Sequence, residues 1–221
     1  MINILNNEYT IDEDWCKPYF EKYMKTNCKV AVIAFAFRDL LVKSKKDWNE
    51  LYGKNNGKYY AGIVSSFASY GIVESNIYIL NYFEDTKETA KEKIENADIV
   101  YLPGGLPDKM FERIKEFNLA KAIKKHNGIV LGFSAGAVIQ LSEYHLTPDK
   151  DYPYFQYYGG LGLLDSFGIE VHYANSDIQN NSIERFIKEK KKPVYAMGDK
   201  GALIVNNGDI QMIGDVKCYS V

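Results

Sequence analysis

The segment Ile129-Val130-Leu131-Gly132-Phe133-Ser134-Ala135-Gly136-Ala137 constrains this chain more than any other. An apolar run that ends in Gly-x-Ser-x-Gly and passes at once into helix-forming residues requires a strand, a very sharp turn and a helix in direct succession. Gly132 and Gly136 remove the side chains that would collide across such a turn, and the serine is left in a strained backbone region with its hydroxyl in the open. The Ala135 N–H is aimed at the same spot. A turn of this kind is a nucleophile elbow, and it presupposes a buried strand in an α/β sheet. The competing reading is a Gly-rich strand-to-helix turn in which Ser134 is an ordinary N-cap.

The rest of the chain repeats the same alternation. Apolar runs at 30–37, 76–80, 98–102 and 169–173 read as strands. Helical patterns fill 45–70, with a break near Asn55-Asn56-Gly57, then 85–96, two segments within 108–126, and 181–190. Asp85 is expected to cap the second of these, with Glu88 completing a box-like start. Residues 146–158 carry Pro148, Pro153 and several tyrosines without periodicity, and read as a long functional loop. The tail carries a hairpin signal at Asn206-Asn207-Gly208-Asp209. The expected architecture is a three-layer α/β sandwich: a mostly parallel, flavodoxin-like central sheet flanked by helices, with a C-terminal β-hairpin. No linker or repeat divides residues 1–221, which are expected to form one domain.

Charge and cysteine usage exclude several classes of function. With 27 basic and 29 acidic side chains the net charge is -2, which gives no electrostatic case for nucleic acid or an anionic membrane surface. No apolar run approaches the roughly 20 residues of a membrane helix, and the first residues carry no signal-peptide pattern. Cys16, Cys28 and Cys218 are scattered and lack metal-ligand spacing. A cytoplasmic protein with reduced thiols, no metal and no cofactor is expected.

A serine nucleophile needs an oxyanion hole, a base and an acid that orients the base. The strand at 98–102 ends in Pro103-Gly104-Gly105, at the same sheet edge as Ser134, so Gly105, with Gly104, is a candidate donor beside Ala135. The plain alternative is a Pro-Gly-Gly turn. Of three histidines, His126 reads as a solvated helix end and His145 as too far along the helix that carries Ser134. His172, at the end of a strand, is the candidate base. Asp149 and Asp151, in the loop between nucleophile and base, are the candidate acids.

These residues resemble dipeptidase E and cyanophycinase, serine peptidases on a class I glutamine amidotransferase-like fold. The likeness rests on the Ser-Ala-Gly-Ala elbow, the upstream Gly104-Gly105, the Asp151-Tyr152-Pro153 pattern and His172-Tyr173-Ala174-Asn175, and it runs from about residue 30 onward. It implies a triad of Ser134, His172 and a loop aspartate: Asp151 by pattern, Asp149 by count. It also implies a small peptide substrate, in dipeptidase E one with an N-terminal Asp, hence a cation. Arg185, on the helix after His172, is the candidate, against pairing with Glu184 or Glu189 on its own helix. Leu106-Pro107-Asp108 departs from the polar residue usual after the glycines and leaves substrate preference open. A homodimer is compatible with this reading.

Two other classes remain. The order Ser, Asp, His also occurs in esterases of the α/β-hydrolase type, but 38 residues between Ser134 and His172 are too few for the intervening strands expected there. A glutamine amidotransferase would carry cysteine at the elbow. An amidotransferase-like fold kept as a silent binding module is separated from both by labelling with a serine-directed fluorophosphonate, with Ser134→Ala as control.

Overall fold

The sheet is organised around a strand at the start of the chain that sequence patterning did not single out. In the computed structural model, which describes residues 1–220, β1 (Ile2–Asn6) lies between β5 (Ile129–Phe133), to which it is parallel, and β9 (Val194–Asn206), to which it is antiparallel. The order across the sheet is β10-β9-β1-β5-β4-β2-β3, with β2 at Val30–Ile33, β3 at Ile77–Leu80, β4 at Ile99–Leu102 and β10 at Asp209–Tyr219. Five neighbouring strands, β3, β2, β4, β5 and β1, run parallel. The antiparallel β9–β10 hairpin follows the Asn207-Gly208 turn that its sequence predicts.

Alternate residues of each strand face opposite layers, as the two-residue period of a strand requires. Leu5, Ala31, Val100, Val130 and Leu203 pack with α4 (Lys87–Glu95), α5 (Pro107–Glu116), α6 (Ala120–Lys124) and α7 (Ala135–Val138). Ile4, Val32, Tyr101, Leu131 and Ile204 pack on the other face with α1 (Lys17–Phe20), α2 (Lys45–Tyr52) and α3 (Tyr60–Ala68). Strands buried on both faces have no polar side to show, which is why they read as short continuous apolar runs. α2 and α3 are separated at the expected Asn55-Asn56-Gly57 break.

Several local expectations need correction. The N-cap of α4 is Thr86, in a reciprocal box with Thr89; Asp85 instead accepts from Asn81 N and pairs with Lys93. The strand at 30–37 stops at Ile33. The loop after the elbow is shorter than expected, because β6 (Glu143–Leu146) and β7 (Gln156–Gly159) form an antiparallel pair around it and leave 147–155 as the connecting loop. His126 is buried rather than solvated and donates from Nε2 to the Asp98 carbonyl. Among the described residues no helix is long and apolar enough to cross a membrane.

β8 (Gly168–Glu170) pairs in parallel with the first residues of β9 and therefore runs against β1. The chain beyond β8 thus descends onto the carboxyl edge of β1 and β5 from the far side. α8 (Asp177–Lys190), capped by Ser176, follows.

Candidate active site

Ser134 sits at φ 48°, ψ -111°, outside the regions L-residues prefer, between β5 and α7. Two close approaches hold it there. A side chain on Gly136 would put its Cβ 1.8 Å from the Leu102 carbonyl, and one on Gly132 would meet the Gly136 carbonyl at 2.1 Å. Only hydrogen fits at both positions, so the elbow and the end of β4 are in contact. The Ser134 N–H donates to the carbonyl of Asn6 at 3.0 Å, which anchors the turn to the end of β1.

His172 lies just beyond β8, in a left-handed conformation at φ 52°. Its Nε2 is 2.8 Å from Ser134 Oγ. Its Nδ1 is 3.4 Å from a carboxylate oxygen of Glu8, and its backbone N–H donates to Asn7 Oδ1 at 2.5 Å. Asn6 completes the arrangement: its side-chain amide donates to the carbonyl of Glu8 at 2.7 Å and to that of Thr10 at 2.9 Å. Three consecutive residues at the end of β1, Asn6, Asn7 and Glu8, therefore fix the serine backbone, the histidine backbone and the carboxylate beside the imidazole. Sequence reasoning missed all three. The signal was present, since Ile4-Leu5 leads into Asn6-Asn7-Glu8, and polar residues after a parallel strand fall where sites in open α/β sheets gather.

The loop aspartates are not at the imidazole. Asp151 is held by Arg38 in a two-pronged ion pair at 2.7 and 2.6 Å, which lowers its carboxyl pKa and raises that of the guanidinium. Asp149 Oδ1 accepts from the backbone N–H groups of Asp151 and Tyr152, the turn-forming role open to any aspartate after a proline. The assignment of His172's partner to Asp151 or Asp149 is therefore corrected: the carboxylate beside Nδ1 is that of Glu8. Arg185 is corrected too, because its Nε pairs with Glu189 at 2.8 Å, its guanidinium lies over the Phe155 ring, and it does not line the pocket that holds Ser134.

On the other side of Ser134, Gly105 and Ala135 line the same pocket as Ser134 and His172. Gly105 adopts φ 135°, and any Cβ there would lie 2.3 Å from the Ala36 carbonyl. Among the described residues neither its N–H nor that of Ala135 has a hydrogen-bond acceptor. Gly104 is packed against the Phe133 ring outside this wall, so it contributes no lining.

The pocket has a volume of about 510 Å³. Its inner wall carries His145, Thr147 and Glu170. His145 stands on β6 and is fully buried, because α7 ends after four residues and the chain folds back. The expectation that His145 is remote is thus corrected. Its Nε2 donates to Glu170 Oε2 at 2.9 Å, and Thr147 Oγ1 donates to the same oxygen at 2.8 Å. Tyr152 is the one pocket-lining tyrosine of the loop; burial and its hydrogen bond to Asp108 raise its phenol pKa.

The model of peptidase family S51 matches residues 53–213. Among solved structures the chain is similar to a candidate peptidase E protein from Listeria monocytogenes EGD-e, with a TM-score of 0.66 at 18% identity, covering 96% of each chain. It is also similar to a peptidase from an acI-B1 Actinobacterium, with a TM-score of 0.65 at 14% identity, covering 99% of this chain and 93% of that one. At such identities the two structures speak for the fold. No curated protein sequence matches the chain.

Proposed function

Because this chain belongs to peptidase family S51, a family of serine peptidases, we propose that it hydrolyses small peptides through Ser134, with His172 as base and Glu8 orienting it. The observation that carries this reading is the 2.8 Å contact between Ser134 Oγ and His172 Nε2 at a strained elbow.

The chemistry follows from the geometry. His172 Nε2 takes the hydroxyl proton as Ser134 Oγ bonds to the peptide carbonyl carbon, and Nδ1–H faces the Glu8 carboxylate, which stabilises the imidazolium that forms. The negative charge on the carbonyl oxygen is met by the free N–H groups of Gly105 and Ala135, each worth about 3–4 kcal/mol when aimed at a developing oxyanion. Collapse breaks the C–N bond, with the proton on Nε2 passing to the leaving amine. Water then attacks the acyl-enzyme, gives its proton to His172 and releases the acid as Ser134 regains its hydrogen.

The test is labelling of the whole chain by a serine-directed fluorophosphonate, with the adduct mapped by mass spectrometry, alongside hydrolysis of a dipeptide library. Adduct at Ser134, its loss in Ser134→Ala, and hydrolysis by the wild type alone support the reading. A folded wild-type protein that takes no label and cleaves nothing overturns it in favour of a binding module.

A further inference from the structure

The inner wall of the pocket holds a carboxylate that the reaction does not use. Glu170 is 5% exposed, and both hydrogen bonds it accepts, from His145 and Thr147, fall on Oε2. Oε1 has no partner among the described residues and is not sealed from the pocket. A carboxylate oxygen so placed keeps its lone pairs open to donors that enter the pocket. The side chain is held in that orientation. The His145 ring that holds it is stacked on Phe155, at 5.4 Å between centroids, and packed on Phe186 at 5.1 Å.

The surrounding charge has the same sense. The pocket is lined by three carboxylates, Asp149, Asp151 and Glu170, against one lysine, Lys150, and no arginine. Arg38 neutralises Asp151 at the rim and Arg185 is paired away, so no guanidinium is available to receive an acidic side chain. Glu170 also lies two residues before His172, and both line the pocket that holds Ser134.

We propose, resting on the reading of Ser134 as nucleophile, that Glu170 Oε1 receives a cationic group, ammonium or guanidinium, on the acyl-side residue of the peptide. His145 and Thr147 act as positioning residues that spend one carboxylate oxygen and aim the other. The substrate class is then a small peptide with a positive charge next to the bond cleaved, in contrast to the acidic residue that the dipeptidase E resemblance implies. The charge can come from a basic side chain or from a free α-amino group, and both present the same N–H donors.

Calorimetric titration of the whole protein with small amides separates these cases without requiring turnover. N-acetyl-lysinamide and N-acetyl-norleucinamide differ chiefly in the side-chain ammonium, while norleucinamide carries only the α-ammonium. Expected is a Kd at least tenfold lower for one of the two cationic ligands than for N-acetyl-norleucinamide, and which one identifies the source of charge. Glu170→Gln should erase that ratio, and N-acetyl-aspartamide should bind more weakly than N-acetyl-norleucinamide. The wild-type comparison keeps the test sound if the variant does not fold. Equal affinity for charged and uncharged ligands, tighter binding of the aspartyl amide, no binding of any amide, or a ratio that persists in a folded Glu170→Gln overturns the proposal. Because binding is read independently of labelling at Ser134, failure here is distinct from failure of the nucleophile assignment.

Discussion

Asn7 Oδ1 accepts the backbone N–H of His172 at 2.5 Å, so the residue carrying the imidazole is tied through its main chain to the end of β1. That tie matters because His172 is left-handed, a conformation that a non-glycine residue keeps only when its surroundings impose it. Asn7→Ala leaves the amide without its acceptor and should cost about 1–3 kcal/mol of stability. Freed to drift, the imidazole should also slow fluorophosphonate labelling of Ser134, by roughly 10- to 100-fold for a shift of about 1 Å. Urea denaturation and the labelling rate measure the two effects. Lost stability with an unchanged rate would confine Asn7 to the fold.

Glu8→Gln keeps the shape of the side chain and removes its charge. Loss of the carboxylate from a serine triad can cost about 10⁴ in turnover. Here both partners are partly exposed, at 35% for Glu8 and 53% for His172, so solvent screens the pair and a loss of roughly 10²–10³ is expected. Asp149→Asn and Asp151→Asn should stay within about threefold of the wild type, since neither carboxylate reaches the imidazole. Single-turnover labelling of the three variants gives the comparison. A severe loss at either aspartate with none at Glu8 would restore the loop as the source of the acid.

The sharp turn at Ser134, the histidine that stands beside it and the loop glycine were legible in the sequence because each has a local signature: Gly-x-Ser-x-Gly after an apolar run, a histidine closing a strand, and paired glycines after another. The carboxylate was not. Glu8 meets His172 across 164 residues, and only the pairing of β1 between β5 and β9 makes them neighbours. β1 is five residues long, with asparagines at two of those positions, so propensity gives it little weight. Asp149 and Asp151 illustrate the converse: chain order favoured them, but each had a closer partner, a backbone turn for one and Arg38 for the other. The length of α7 was also hidden, and with it the return of His145 to the pocket.

The Arg38–Asp151 pair joins the segment after β2 to the 147–155 loop at the pocket rim. Arg38 is 44% exposed, so the pair should add less than about 1 kcal/mol to global stability. Arg38→Ala is expected to leave the melting temperature nearly unchanged while raising amide hydrogen exchange in residues 147–155, and 0.5 M salt should reproduce part of that effect. Exchange that does not change would mean the loop is held by Asp149 and Tyr152 alone.

His126 makes acid stability partly a matter of one imidazole. Burial lowers its pKa in the folded protein below the ordinary value. Above about pH 6.5 it is neutral in both states and its contribution is complete. As pH falls below that value the unfolded chain takes up a proton first, and stability is lost until the folded pKa is passed. Relative to His126→Asn, the wild type should therefore lose stability between pH 7 and pH 5, as read by denaturant midpoints. A constant difference across that range would show that His126 titrates alike in both states.

Gly136→Ala tests the contact between the elbow and β4. Its Cβ would fall 1.8 Å from the Leu102 carbonyl, a backbone atom that can yield only by moving the strand end. A loss of about 3 kcal/mol or more is expected, with slower labelling because Gly105 moves with that strand. Wild-type stability in this variant would mean that the elbow is looser than its geometry indicates.

The central position of β1 also makes the site depend on remote parts of the chain. Residues 2–6 pair with 129–133 on one side and with 202–206 on the other, so β1 has no partner near it in sequence. Its neighbours bring the serine at 134 and, through β8 on β9, the histidine at 172. Contacts of such long sequence separation form late and slowly. The arrangement around Ser134 therefore forms together with the pairing of β1 to β5 and β9, and losing either pairing should dismantle the whole of it at once.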